Sequence, residues 1–400
     1  MTVPGLDELL APEGWPYAST LSQGPGDPGR YHMLFGRDSL VTALQVMPER
    51  PDVARATLRA LAARQGGADD PETGEEPGKI GHQWADEVPE PFAVRGYAPL
   101  RDGRFAYYGT ADATSWWLVV LATLGDGALA AELDAHVRAA AGWLERALAA
   151  GDGLVRHGVD VPAGSLAHMG WRDAIDPTLG DGGGFVREDG TAPAPPIADA
   201  DSNAIAVAAA RAAAALLGDE GWRRRGDELA ERVQAHFGPD VTALEGGDRP
   251  VTGAGSQLGW LLWADALRGD AREAAADRLS APDVLTDHGL RTLSAEHPAF
   301  DPQHYHRGSV WPFDSWLGWG GLRAAGRAEA AERVRRGVLR ALETLGDASE
   351  LYVVARDGRL ERSPLANRSQ AWTVGARWAL EQGWDGRAIS ARPPAARPPG

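Results

Sequence analysis

Predicted helices occur in pairs, and the connections between them are alternately short and long. Apolar residues recur at helical spacing in roughly a dozen segments, whereas the strict alternation typical of strands is almost absent. The long connections are polar and all fall on the same side of the helix pairs. This pattern predicts an all-α toroid of helical hairpins, with an inner and an outer ring and functional loops at one end. An ordinary bundle and a helical-repeat solenoid are the alternatives, although no repeat of roughly 34 to 47 residues is present.

The chain divides into three predicted parts. An extended segment rich in Pro and Gly covers residues 1–30, a catalytic domain covers 31–385, and a disordered Pro- and Arg-rich tail covers 386–400. Long loops are expected at 65–109, 151–198, 296–310 and 348–367. The predicted helices span residues 40–46, 51–64, 112–124, 127–148, 200–217, 221–237, 257–267, 272–279, 311–325, 328–345 and 369–381.

Charge and composition narrow the function. The chain has 400 residues, a formal net charge of -16 and no cysteine. The acidic balance argues against nucleic acid and anionic membrane as partners, since both require basic surfaces. The absence of cysteine excludes disulfides and thiolate metal sites and suits a cytoplasmic protein. Residues 1–13 lack the features of a signal peptide, and no apolar run reaches the ~18 residues that a membrane span needs.

The segment Met169–Ala174 places an indole and a guanidinium directly before a carboxylate, within a loop rich in Gly, Pro and Asp. An indole can stack on the C–H face of a sugar, a guanidinium can bind hydroxyls and a carboxyl group can move a proton. Trp171, Arg172 and Asp173 therefore indicate a sugar site. The alternative is a surface loop with an aromatic plug. The count of 15 tryptophans is high, as in carbohydrate-binding clefts, although tryptophan also fills cores.

Further polar clusters open other predicted inner helices. Arg37 and Asp38, after Phe35, can bind vicinal hydroxyls; the alternative is a helix N-cap by Asp38. His82 and Asp112 flank an aromatic loop, and they could equally be a structural histidine and a helix cap. In the segment 304–312, His304 and His306 could ligate a metal. Since no further His or Cys stands at a useful spacing, a hydroxyl-binding loop walled by Trp311 is favoured.

Glu350 precedes the apolar pair Leu351-Tyr352 in a loop, where it could act as a general base held partly out of water. Two other glutamates compete for this role. Glu343 lies in an amphipathic helix and is expected to be solvated. Glu361 lies between two arginines and is expected to form an ion pair.

Taken together, these segments make the sequence similar to a known family over residues 14–384. It resembles the bacterial glycogen-debranching (amylo-α-1,6-glucosidase) type of six-hairpin glycosidase, and mannosylglycerate and glucosylglycerate hydrolases are similar to it too. The motifs that carry the resemblance are, in chain order, Phe35-Gly36-Arg37-Asp38-Ser39-Leu40, Thr42-Ala43-Leu44-Gln45, Glu75-Glu76-Pro77-Gly78-Lys79-Ile80 with His82, Tyr107-Tyr108-Gly109 with Asp112-Ala113-Thr114, Gly170-Trp171-Arg172-Asp173, Gly308-Ser309-Val310-Trp311-Pro312 and Ser369-Gln370-Ala371-Trp372.

The resemblance implies an (α/α)6 toroid and an inverting glycosidase that releases a terminal α-linked hexose, most simply glucose, without metal or organic cofactor. It implies Asp173 as general acid and Glu350 as general base. The partner would be a carbohydrate. The expected substrate-binding residues are Phe35, Arg37, Asp38, His82, Tyr108, Asp112, Trp171, Arg172, His306, Trp311, Gln370 and Trp372.

The sequence departs from the family pattern at three positions. Gln83 stands where Glu is common, Arg307 where Asn is usual and Phe313 where His is usual, so the pocket rim and the aglycone are expected to differ. The N-terminal β-sandwich of longer relatives has no counterpart in this sequence, which favours a small substrate over glycogen. Two rival functions are a sugar lyase or epimerase, which would use Tyr305 or His306, and a non-catalytic sugar-binding protein.

The implied chemistry also makes geometric predictions. The Asp173 carboxyl must be protonated near neutral pH, so Arg172 is expected to point away from it, toward substrate or another acid. Glu350 must stay ionised, so Gln370 or a tyrosine hydroxyl is expected to donate to it. An inverting enzyme places its two carboxyl groups roughly 6.5–9.5 Å apart, against about 5–5.5 Å in a retaining one.

Overall fold

The computed structural model describes residues 2–20, 22–24, 27–28, 31–173 and 184–387. This part of the chain contains thirteen α-helices and a short 3-10 helix at Asp7–Leu9. The α-helices are α1 (Gly36–Val46), α2 (Pro51–Ala62), α3 (Glu90–Val94), α4 (Ala113–Leu124), α5 (Gly127–Glu132), α6 (Asp134–Ala150), α7 (Ala200–Leu217), α8 (Glu220–His236), α9 (Gln257–Trp263), α10 (Gly269–Leu279), α11 (Pro312–Ala324), α12 (Ala328–Leu345) and α13 (Ala371–Gln382).

Six of these helices pack in a closed circuit. α1 packs on α4, α4 on α7, α7 on α9, α9 on α11 and α11 on α13, and α13 packs on α1 again. Every residue of α1 is buried, as are ten of the twelve residues of α4. A helix that is buried all round carries mostly small or apolar side chains. The exceptions in α1 include Arg37 and Asp38, which lie in its first turn.

The remaining long helices pack outside this circuit. α2 contacts α1 and α4, α6 contacts α4 and α7, α8 contacts α7, α10 contacts α9, and α12 contacts α11 and α13. α12 illustrates why they lie outside: Val334, Val338, Ala341, Leu342 and Leu345 form one buried stripe, while the other faces carry charged side chains. In the described chain, at least one outer helix therefore packs against each of the six inner helices.

Most helix boundaries agree with the predictions within a few residues. One prediction was wrong: residues 127–148 form two helices, α5 and α6, because the chain turns at Leu133 before α6 begins at Asp134. The short helix α3 lies inside the predicted loop 65–109 and was not anticipated.

The all-α expectation did not include the small antiparallel sheets into which the long loops fold. The largest has four strands in the order β3-β4-β6-β5, and another has the order β7-β8-β9. The pairs β1-β2, β10-β11 and β12-β13 form separate ladders. The strands are β1 (Ser22–Gly24), β2 (Asp27–Pro28), β3 (Leu34–Phe35), β4 (Gln83–Ala85), β5 (Leu100–Arg101), β6 (Arg104–Tyr107), β7 (Ala198–Asp199), β8 (Val241–Glu245), β9 (Arg249–Thr252), β10 (Leu285–Thr286), β11 (Gly289–Leu290), β12 (Tyr352–Val354) and β13 (Leu360–Arg362).

The four-stranded sheet positions one end of α1. Phe35 pairs with Gln83, and Gln83 pairs with Tyr107 on the other side. The Gly36 amide donates to the His82 carbonyl at 2.8 Å. A side chain at Gly36 would place its Cβ 2.2 Å from the Gly81 oxygen, so only glycine allows this close approach. The sheet thus brings the loop around His82 against the first turn of α1.

The first residues share the core of the helices. Val3, Leu6 and Leu9 are buried in the same apolar cluster as the inner helices. Helix α7 is long and apolar enough to cross a membrane by length and composition, contrary to the expectation from the sequence, but 67% of it is buried within the protein. The predicted disordered tail falls almost entirely on residues 388–400, outside the described residues.

Candidate active site

One small cavity is lined by charged and aromatic residues from the N-terminal ends of inner helices. Arg37 and Asp38 lie in the first turn of α1, Trp311 precedes α11 and Trp372 lies in the first turn of α13. The cavity has a volume of about 60 Å³. It is lined by Tyr31, Phe35, Arg37, Asp38, His82, Gln83, Phe92, Leu166, Trp171, Asp173, Tyr305, Trp311, Glu350 and Trp372.

Asp173 stands on the wall of this cavity, with its side chain 18% exposed. Arg37 donates from Nη2 to Asp173 Oδ2 at 2.9 Å, and His82 Nε2 lies 3.7 Å from the same oxygen. Burial raises the pKa of Asp173 to about 6, although Arg37 works against that rise. A carboxyl group in this state can carry a proton in mildly acidic solution, as a general acid must.

Asp112 holds Arg37 from the side opposite Asp173. Arg37 Nη1 donates to both oxygens of Asp112, at 3.1 and 3.3 Å. Thr110 donates from its hydroxyl to Asp112 Oδ1 at 2.9 Å. Asp112 occupies the N-cap position of α4, but its side chain makes no cap hydrogen bond and is fully buried. The structure therefore places Asp112 behind Arg37 rather than on the cavity wall.

Asp38 also lines the cavity. It is the third residue of α1, so the alternative that it caps this helix is wrong; the N-cap position belongs to Phe35. Asp38 Oδ1 lies 3.9 Å from Arg37 Nε, and neither atom has a hydrogen-bond partner among the described residues. Burial raises the pKa of Asp38 to about 7, against the opposing effect of Arg37.

Glu350 is the second acidic group that the cavity brings near Asp173. Glu350 Oε1 accepts from the Tyr305 hydroxyl at 2.7 Å, and Glu350 Oε2 accepts from the main-chain amide of Asn367 at 3.2 Å. Donors of this kind favour the carboxylate form. The expectation that a tyrosine hydroxyl donates to Glu350 is confirmed. Gln370 lies outside the cavity, where its Oε1 accepts from Asn367 Nδ2 at 3.4 Å.

Aromatic rings form much of the remaining wall. Trp171 meets Trp311 edge to face at 5.5 Å, and Trp311 meets Trp372 in the same way at 5.9 Å. His306 stacks on Trp311 with 8° between the planes, and its Nε2 lies 2.7 Å from the Asp173 carbonyl oxygen. Phe313 stacks on Trp372 at 3.8 Å and is fully buried. It therefore lies behind the cavity wall, whereas the sequence pattern predicts it on the rim.

Arg172 points away from the Asp173 carboxyl, as predicted. Its Nε donates to Asp201 Oδ2 at 2.9 Å, Nη1 to the Thr292 carbonyl at 2.7 Å and Nη2 to the Ser256 hydroxyl at 3.1 Å. The other acid that Arg172 contacts is therefore Asp201, in the first turn of α7. Arg172 is buried and anchors the loop that carries Trp171 and Asp173.

Five of the predicted substrate-binding residues do not line the cavity: Tyr108, Asp112, Arg172, His306 and Gln370. Tyr108 donates its hydroxyl to the Arg64 carbonyl at 2.6 Å, on the far side of the sheet. The lining residues that the sequence did not single out are Tyr31, Phe92 and Leu166. Tyr31 precedes β3, Phe92 lies in the short helix α3 and Leu166 lies in the loop between α6 and β7. In such short or irregular segments no local periodicity indicates which side chain faces a distant helix end. The loop residues 174–183, which follow Asp173, lie outside the described residues.

A helical ring whose inner helix ends converge on a cavity with three acidic groups, Asp38, Asp173 and Glu350, and tryptophan walls is typical of a glycoside hydrolase. The sequence matches the family model of the mannosylglycerate hydrolase MGH1-like glycoside hydrolase domain over residues 33–373. The chain belongs to this family and is a glycosidase. No curated protein sequence matches it.

Solved structures support the same fold. The GH63 mannosylglycerate hydrolase from Thermus thermophilus, in complex with Tris and D-glycerate, superposes with a TM-score of 0.66 at 19% identity, covering 95% of this chain and 98% of that one. The same hydrolase in complex with glucose gives a TM-score of 0.65 at 18% identity, with the same coverage. At these identities the likeness establishes the fold. The narrower resemblance to the glycogen-debranching type is not confirmed.

Proposed function

We propose that this chain, folded as an (α/α)6 toroid, hydrolyses a small α-linked hexoside with inversion at the anomeric carbon. The observation that carries the proposal is that Asp173 and Glu350 line one small cavity in different hydrogen-bonding environments. Asp173 has a raised pKa, and Glu350 accepts hydrogen bonds from Tyr305 and Asn367. Two acidic groups whose surroundings differ in this way suit an acid and a base.

In the proposed reaction, Asp173 gives its proton to the glycosidic oxygen as the bond from that oxygen to the anomeric carbon breaks. Glu350 takes a proton from a water molecule that attacks the same carbon from the opposite face. The products are the free hexose and an alcohol, with Asp173 ionised and Glu350 protonated. Glu350 then releases one proton to solvent and Asp173 takes one up, which restores both groups. Arg37 and Asp38, which both line the cavity, would bind sugar hydroxyls.

A short aglycone is favoured over a branched polymer. Gln83, one of the positions that departs from the glycogen-debranching pattern, is on the cavity wall. The matching family model is named after a mannosylglycerate hydrolase. That name is compatible with a small acidic aglycone. Glucose and mannose both remain candidates for the glycone. A terminal hexose on a glucan branch is the second candidate substrate.

A substrate panel separates these candidates. The panel contains mannosylglycerate, glucosylglycerate, methyl α-glucoside, methyl α-mannoside, α-linked glucose disaccharides and glycogen limit dextrin, and released hexose is measured for each. We expect the highest kcat/KM on one of the small glycosides. A clear preference for limit dextrin would overturn the choice of a small substrate, while leaving the glycosidase assignment in place.

Two variants and one product analysis test the mechanism. D173N should cost little on dinitrophenyl glycosides and most on alkyl glycosides, because good leaving groups need little protonation. E350Q should slow all substrates alike, since every substrate needs the activated water. Proton NMR of the first product should show the inverted anomer. Retention of configuration, or a crystal structure with the two carboxyl groups about 5–5.5 Å apart, would refute the inverting mechanism.

A further inference from the structure

One guanidinium at the cavity wall is shared among three carboxyl groups. Arg37 donates to both oxygens of Asp112 through Nη1 and to Asp173 Oδ2 through Nη2, at 2.9 to 3.3 Å. Its Nε lies 3.9 Å from Asp38 Oδ1. Asp112 has no access to the cavity, whereas Asp173 is on its wall. The positive charge is therefore divided between a buried carboxyl and the proposed general acid.

We propose that Asp112 and Arg37 together set the protonation of Asp173, with Asp112 as a positioning residue that holds Arg37 and draws away part of its charge. This inference depends on the proposed function, in which Asp173 is the general acid. Arg37 Nη2 donates to Asp173 Oδ2, so it stabilises the carboxylate that forms when Asp173 gives its proton to the leaving group. The same contact lowers the pH at which Asp173 loses that proton to solvent. Asp112 limits the second effect, because its negative charge opposes that of Arg37.

Other groups around Asp173 do not replace this pair. His82, which precedes β4, has a pKa lowered well below its usual range by burial and then by Arg37, so it is neutral. Burial also lowers the pKa of His306, whose Nε2 lies 2.7 Å from the main-chain oxygen of Asp173. Arg172 is turned to Asp201. Asp38, on α1 beside Arg37, has its pKa raised to about 7 by burial, so it adds a negative charge only above that pH. Glu350 and Tyr305 share the cavity.

The two charges are expected to act in opposite directions. Activity requires protonated Asp173, so it is lost as pH rises through the pKa of this group. R37Q removes the positive charge, which raises that pKa and moves the basic limb of the kcat/KM profile to higher pH. D112N removes a negative charge and leaves Arg37 to pair with Asp173 alone, which lowers the pKa and moves the limb to lower pH.

The experiment measures kcat/KM against pH with the methyl α-hexoside that the wild type hydrolyses. We expect shifts of about one pH unit, upward for R37Q and downward for D112N. The matched controls are R59Q and D134N, which neutralise residues of exposed ion pairs far from the cavity and should leave the limb in place. Circular dichroism and thermal unfolding confirm that each variant is folded. If R37Q does not fold, D112N alone must still move the limb downward.

Dinitrophenyl α-hexoside separates failure of this inference from failure of the proposed function. With that substrate the wild-type basic limb should nearly vanish, because its leaving group needs no proton. If the limb is equal for both substrates, Asp173 is not the general acid. If the limb depends on the leaving group but the two variants shift it in the same direction, or leave it in place, the role of Arg37 and Asp112 is refuted.

Discussion

At two places in the chain an arginine directly precedes an aspartate, and in both the arginine binds a different aspartate that is distant in sequence. Arg37 precedes Asp38 and Arg172 precedes Asp173, yet Arg37 binds Asp173 and Arg172 binds Asp201. Neither arginine donates a hydrogen bond to the aspartate that follows it, because adjacent side chains leave the backbone in different directions. As a consequence, Arg172 anchors the loop that contains Trp171 and Asp173 to α7. The Arg37 guanidinium lies beside the Asp173 carboxyl on the cavity wall.

The Tyr305 hydroxyl provides a test at the level of one hydrogen bond. It donates to Glu350 Oε1 at 2.7 Å in a buried setting. Burial raises the pKa of Tyr305 well above its usual range, so the hydroxyl stays protonated and remains a donor. A hydrogen bond to a charged group contributes about 1.5–3 kcal/mol, so Y305F should lower kcat/KM about tenfold or more for every substrate.

Y352F is the matched control for Y305F. Tyr352 is also buried, but its hydroxyl donates to the His288 carbonyl, and the residue does not line the cavity. We expect Y352F to lower stability without a comparable loss of kcat/KM. Equal activity of Y305F and the wild type would show that Tyr305 does not support Glu350.

At the level of secondary structure, the inner helices approach closely where small residues face each other. α9 and α11 pack through Gly259 and Gly318, and a Cβ built on Gly259 would lie 2.4 Å from Gly318 Cα. Such a contact with backbone can be relieved only if the helices move apart. The Ala-rich sequence of α7 serves the same purpose on the other side of the ring, where α4, α8 and α9 surround it.

G259A should therefore destabilise the protein even though alanine favours helix formation. Overpacking of this kind costs about 1–3 kcal/mol in the free energy of unfolding, which urea denaturation can measure. Gly127, in the first turn of α5, has open space around its Cβ position, so G127A is expected to be neutral or slightly stabilising. Comparable stability of G259A and the wild type would contradict the close helix approach.

At the scale of the whole molecule, contacts between the two ends of the chain close the ring. Trp384 donates from Nε1 to the Leu44 carbonyl at 2.8 Å, and Trp316 donates to the Trp384 carbonyl at the same distance. These bonds join α1, α11 and the segment after α13. The N-terminal segment is joined as well, since the Ala371 amide donates to the Ala18 carbonyl at 2.8 Å.

This arrangement predicts that the first residues contribute to global stability. Leu6 is fully buried in the main core, so L6A should lower the free energy of unfolding by about 2–5 kcal/mol. L100A is the control, because Leu100 is 49% exposed and its truncation should change stability by at most about 0.5 kcal/mol. Tryptophan fluorescence and far-UV circular dichroism should follow the same transition. If L6A is as stable as L100A, the N-terminal segment is not part of the core.

The sequence by itself determined the helices and the nature of the site. Helices such as α7 and α12 were predicted at their observed bounds, because burial on one face or on all faces leaves a periodic record in the local sequence. Trp171, Asp173 and Glu350 were recognised from the chemistry that their residue types permit and from the resemblance of the surrounding motifs. Both sources of information lie within short stretches of chain.

Only the tertiary structure decided which side chains reach the cavity. Strands of two or three residues, such as β3 and β4, are too short to show an alternating pattern, so the sheet that places His82 beside Arg37 was not foreseen. Tyr108 and Asp112 were expected at the sugar, yet their polar atoms are bound to Arg64 and Arg37. Whether a polar group faces ligand or protein depends on residues far away in sequence, because burial and hydrogen bonding are set by the packing of distant elements.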